Sequence, residues 1–142
     1  MEKVLDEILL ILKDERDGAI NVKVISDKSL DERLANIFIS SGIPPHIKGY
    51  QFLREAVKQS VKSPAMINNI TKQLYPAVAE KFNTSPSKVE RAIRHAIEVA
   101  WSRGKIDNIN TIYGIKVFGK GDKPTNGELI ALVSDKMIIE CS

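Results

Sequence analysis

The segment from residue 76 to residue 104 reads PAVAEKFNTSPSKVERAIRHAIEVAWSRG, and it decides the fold. Placed at about 100° per residue from Ser87 to Ser102, its second part separates into two faces. Val89, Ala92, Ile93, Ala96, Ile97, Val99 and Ala100 form an apolar arc. Ser87, Lys88, Arg91, Arg94, His95, Glu98 and Ser102 form the opposite arc, with Glu90 and Trp101 on the border. The ends are marked. Ser85 suits an N-cap, Pro86 suits the first helical position, where no N–H is needed, and Gly104 suits the stop.

Ala79 stands four residues before Asn83 and ten before Val89. That spacing is the demand of a helix-turn-helix. A small residue lets two helices approach, and the turn residue takes φ > 0, which Asn tolerates. A buried aliphatic fills the angle between the helices. Gly is the usual turn residue, so Asn83 is a permitted departure. Phe82 adds an expected core residue before the turn. A plain amphipathic helix hairpin explains the apolar positions equally well. It does not explain the spacing, the Ser-Pro start and the basic N-terminal half of the second helix together.

Outward from this stretch, the chain reads as helices. Residues 1–15 show a helical pattern through Val4, Leu5, Ile8, Leu9, Ile11 and Leu12. Ile20, Val22 and Val24 alternate as a short strand, for which Ile115–Phe118, of the same chain or of a second copy, is the expected partner. Ser29 to Glu32 forms a capping box opening a helix over 29–41 that Gly42 ends. After the Pro44-Pro45 corner, a helix over about 46–62 buries Ile47, Tyr50, Leu53, Val57 and Val61, with Gly49 allowing close packing. Residues 65–75 are helical, and Pro76 kinks or restarts the helix. Asp107 caps a short helix that Gly114 stops. A basic loop over 119–124 leads to a second capping box, Thr125 to Glu128, and a last helix. The fold class is therefore all-α: a compact helical domain over 29–142 with a helix-turn-helix. A helix-plus-strand appendage or linker over 1–28 precedes it.

The chain has 142 residues, one cysteine (Cys141), two histidines and a net charge of +3. One Cys allows no intrachain disulfide and no zinc cluster, so no metal and no cofactor are expected, and a cytoplasmic setting fits. No apolar run reaches the roughly 18 residues of a membrane span, and there is no signal-peptide pattern. No nucleophile–base set, paired carboxylates or phosphate loop stands out, so no catalytic residues are assigned and an enzyme is not expected. His46, after Pro-Pro, reads as structural.

The segments HIKGYQFLREAV, KQLYPAVAEKFNTSPSKVERAIRHAIEVAWSRGKID and KPTNGELIALVSDK closely resemble the C-terminal effector domain of the stage-zero sporulation response regulators, over about residues 30–136. The resemblance implies a six-helix DNA-binding domain. It implies a sporulation transcription regulator, activating or repressing, that binds TGNCGAA-type boxes in double-stranded DNA. It further implies a homodimer on tandem sites and contact with an RNA polymerase sigma subunit. The family's phosphoacceptor receiver has no counterpart in these residues. That opens an alternative: a receiver-less interaction protein that dimerises with the full-length sporulation regulator and modulates it.

In the major groove, Arg91 and Arg94 are the candidates for bidentate contacts to guanine. Glu90 accepts from cytosine N4 or orients Arg94 at i+4. Ser87 and Lys88 reach base edges or phosphate, and His95 reaches phosphate or nothing. The resemblance supports Lys88, Glu90, Arg91 and Arg94, although Arg is commoner in the family where Lys88 stands. Lys lacks the planar fork, which favours a phosphate contact there. Further phosphate contacts are expected from Lys120, Lys123, Thr125 and Asn126, and from the N-terminus of the scaffold helix. Glu98 would repel phosphate, so the helix is expected to have left the groove there. Glu98, Arg103, Lys105 and Asn108 then form the expected polymerase surface.

Overall fold

The computed structural model describes residues 7–13, 20–119 and 121–140, with side chains from residue 28 onward. Two strands, β1 (Glu7–Lys13) and β2 (Ile20–Ser26), pair antiparallel and precede six α-helices. The helices are α1 (Asp27–Ser40), α2 (Lys48–Lys62), α3 (Tyr75–Lys81), α4 (Pro86–Ser102), α5 (Ile109–Tyr113) and α6 (Asn126–Glu140). The domain is all-α, with the hairpin ahead of it. Among the described residues, no helix is long and apolar enough to cross a membrane.

The helix expected near the N-terminus is instead strand β1, and β1, not the 115–118 segment, is the partner of β2. The continuous apolar run from Ile8 to Leu12 satisfies helical and extended patterns alike. The 115–118 segment has its own solution. Asn110 Oδ1 accepts from the amides of Val117 and Phe118 at 2.6 and 2.9 Å, and its Nδ2 donates to Phe118 O at 2.7 Å. One amide side chain thus takes the place of a neighbouring strand. α1 begins at Asp27, directly after β2, so Ser29 lies inside the helix and does not cap it. Before Pro76 the chain forms a 3-10 stretch, Pro64–Asn69, and a π turn, Ile70–Leu74. Asp107 does not cap α5; it lies in a 3-10 turn, Ile106–Asn108.

α2 is the centre of the domain. It packs against α1, α3, α4 and α6. Leu53, Ala56 and Val57 are fully buried, as are Leu30, Leu34 and Phe38 of α1, Ile93 and Ala96 of α4, and Ile130 and Val133 of α6. Each large aliphatic contributes roughly 1.5–3 kcal/mol relative to exposure. Polar contacts fix orientation around this core. Asp31 of α1 pairs with Lys58 of α2 at 3.3 Å, and the buried Glu55 pairs with Lys81 of α3 at 3.1 Å.

α2 and α4 cross in close contact at Gly49. A Cβ there would lie 2.7 Å from the Ala96 Cβ and would overlap the backbone carbonyl of Ala92. The obstacle is backbone, which cannot rotate away. Ala is favoured over Gly in a helix by only about 1 kcal/mol, less than the cost of forcing α2 and α4 apart. Gly49→Ala is expected to lower stability by a net amount of roughly 1–3 kcal/mol in urea unfolding.

Candidate nucleic-acid interface

The turn between α3 and α4 is built as the spacing requires. Asn83 has φ 54°, the one positive φ at a non-glycine among the described residues. The amide of Thr84 donates to Ala79 O at 2.9 Å and that of Asn83 to Glu80 O at 3.3 Å. This pair of bonds is a Schellman closure with Asn in the left-handed position. Ala79 and Val89 are buried on either side. Ser85 caps α4, its Oγ accepting from the Lys88 amide at 3.3 Å, and Pro86 follows. Phe82 departs from expectation. It is 36% exposed and meets Phe52 of α2 edge to face at 5.2 Å, on the rim of the core.

α4 buries Val89, Ile93, Ala96, Ile97 and Ala100, which leaves Ser87, Lys88, Arg91, Arg94 and His95 exposed along one side. Among the described residues, Lys88 and Arg91 have no acidic partner within ion-pair distance. Arg94 does: its Nε lies 3.4 Å from Glu90 Oε1. The Glu90 carboxylate thus lies beside the Arg94 guanidinium as an i,i+4 ion pair. The guanidinium still projects, with the Arg94 side chain 61% exposed.

Lys88, Arg91 and His95 line a groove of about 650 Å³ that Lys48 and Gln51 from the start of α2 also line. These two residues were not singled out by sequence. The available signal was position: Lys48 follows the Pro44-Pro45 corner and opens a helix whose next residue, Gly49, touches α4. The groove is open, and Phe52, Phe82 and Ala92 line it together with the basic side chains.

The residues expected to hold phosphate beyond α4 are occupied within the domain. Lys123 Nζ pairs with Glu98 and lies 5.3 Å from the centre of the Trp101 ring. Trp101 Nε1 donates to Gly121 O at 3.1 Å. Thr125 and Glu128 complete the expected capping box of α6: the Glu128 amide donates to Thr125 Oγ1, and the Thr125 amide to Glu128 Oε1. Asn126 Nδ2 donates to Tyr75 Oη and to Glu90 O, both at 3.1 Å. Burial pushes the Tyr75 phenol above its ordinary pKa, so it stays a neutral partner. Lys120 lies outside the described residues.

The expected polymerase surface divides similarly. Arg103 donates to Gly42 O at 3.3 Å and Asn108 to Ser40 O at 2.9 Å, so both tie down the end of α1. Glu98 is held by Lys123, while Lys105 is exposed. Thus the sequence-expected site is gathered in part. Five residues of α4 share a solvent face, Glu90 lies beside one of them, and the 121–126 segment is fastened to the same helix at Glu98, at Trp101 and, through Asn126, at Glu90 O.

A family model described as "Sporulation initiation factor Spo0A C terminal" matches residues 34–137, which span α4, the turn before it and the helices that carry both. It is a family of regulatory DNA-binding domains and not of enzymes. The chain belongs to the Sporulation initiation factor Spo0A C terminal family, and its role is that of a DNA-binding transcription regulator.

Proposed function

We propose that residues 29–142 act as a sequence-specific regulator of sporulation-type genes, with residues 1–28 as an appendage to that domain. α4 enters the major groove of TGNCGAA-like boxes by its N-terminal half. The observation that carries this reading is the exposed Lys88–Arg91–His95 row on a helix fixed by the Asn83 turn and the Gly49 crossing.

Arg91 is the principal base reader, because an Arg without an internal partner meets guanine O6 and N7 at no cost of breaking an ion pair. Arg94 reads a neighbouring base while Glu90 holds its fork. Ser87 contacts phosphate or a base edge near the start of the helix, and His95 touches phosphate. Lys88 and Lys48 flank the groove and clamp the two sides of a phosphate backbone. Lys120, Lys123, Thr125 and Asn126 contribute charge at the margin, with Lys123 exchanging Glu98 for phosphate. Glu98, Arg103, Lys105 and Asn108 form the face toward a polymerase sigma subunit. The setting is cytoplasmic, and tandem boxes are occupied by two copies.

The alternative, a receiver-less protein that dimerises with and modulates the full-length regulator, makes a different demand on DNA. Fluorescence anisotropy with a TGNCGAA duplex and a scrambled duplex over a salt series separates the two. Preference for the box supports direct reading; equal affinity for both duplexes supports modulation. In the same titrations, Arg91→Ala is expected to cost about 1–3 kcal/mol on the box and little on the scrambled duplex. Unchanged discrimination would remove Arg91 from the reading set. Lys48→Ala should instead weaken both duplexes alike and reduce the salt slope by about one.

A further inference from the structure

The hairpin lies outside the residues assigned to the proposed DNA face. It is a two-stranded sheet, so among the described residues β1 has β2 on one edge and no strand on the other. Two-stranded ribbons are marginal alone, and an apolar open edge is a template for another strand.

β1 reads Glu7-Ile8-Leu9-Leu10-Ile11-Leu12-Lys13. Turned end for end against itself, with Leu10 on the two-fold axis, it puts Glu7 opposite Lys13 of a second copy. Ile8 then meets Leu12 and Leu9 meets Ile11. Acid faces base at both ends, and every rung between them is aliphatic. Inside the hairpin the same charges have no such match, since Glu7 is in register with Ser26 and Lys13 with Ile20. The equivalent operation on β2 sets Lys23 against Lys23 and is disfavoured. The choice of edge is therefore written in the charges.

We infer that the chain forms a two-fold homodimer through its β1 edges, as a four-stranded antiparallel sheet in the order β2, β1, β1, β2. Such an interface is isologous and closed, because each copy gives the other the same edge. It brings the ribbon past the three strands at which small sheets gain independent stability. It also presents two copies of α4 on one particle, which raises their effective concentration at paired boxes. The dimer needs no DNA, so its failure leaves the reading of α4 untouched.

Sedimentation velocity on the full chain without DNA is the test, with circular dichroism as a check that each variant is folded. The wild type should show a concentration-dependent dimer. Glu7→Lys alone and Lys13→Glu alone each place like charges at both ends of the interface. Each should weaken dimerisation by about tenfold or more. Mixing the two single variants should restore the dimer as a heterodimer, because one copy then offers Lys at both positions and the other Glu. Reversing both residues in one chain should also restore it. In a Cys141→Ser background, Leu10→Cys should cross-link to itself on oxidation and Val22→Cys should not, since only residues facing each other across the axis come within disulfide reach. A wild type that is monomeric throughout overturns the proposal. So do single reversals without effect, a mixture that fails to associate, or cross-linking at Val22 in place of Leu10.

Discussion

Backbone-to-backbone contact between α2 and α4 at Gly49 sets the geometry of this domain. α2 is surrounded by α1, α3, α4 and α6, so its position is fixed from several sides. Where it meets α4 there is no side chain to act as a compliant spacer, only Gly49 against the Ala92 carbonyl and Ala96. The direction of α4 is therefore inherited from the whole core. The same crossing brings the first turn of α2, with Lys48 and Gln51, alongside the exposed row of α4. A structural economy and a binding surface follow from one missing methyl group.

Charge is divided along α4 in a way that geometry explains. In its first half, Lys88 and Arg91 stand without acidic partners among the described residues, and Arg94 is paired with Glu90. In its second half, Glu98 is met by Lys123, and Trp101 lies under the same ammonium. The surface pair is worth little to stability by itself, of the order of 0–1 kcal/mol. Its greater effect is to fasten the segment before α6 to α4 and to leave that half of the helix near neutral. The basic field is thereby confined to the half whose side chains lie beside the groove.

The centre of this arrangement was legible in the sequence because its constraints are local. Ser85-Pro86 can start a helix, Asn83 can take a positive φ, and Ala79 and Val89 must be small and aliphatic where two helices meet. Each is a property of one residue and its near neighbours. The capping box of Thr125 and Glu128 was legible for the same reason. What failed depended on distant partners. Ile8 to Leu12 satisfies two periodicities, and only pairing with Ile20–Ser26 selects the extended one. Phe82 looked like core but sits at the rim, because Phe52 offers it an edge and not a pocket. Lys123 read as a phosphate contact, and nothing in its neighbourhood announces Glu98, twenty-five residues away. Lys48 was hidden for the converse reason: its relevance comes from what Gly49 touches.

The separation of the two faces of α4 bears on how the target sequence of such a domain can change over generations. Val89, Ile93, Ala96, Ile97 and Ala100 hold the fold and face inward, while Ser87, Lys88, Arg91 and His95 have no share in the core. Substitution at the second set leaves the scaffold intact, so on the proposed reading a change at Arg91 alone is enough to shift the preferred base. Glu90 and Arg94 are linked by their ion pair and are expected to drift together. The exposed face of the helix thus holds independent positions and one coupled pair, on a scaffold that need not be rebuilt when that face is altered.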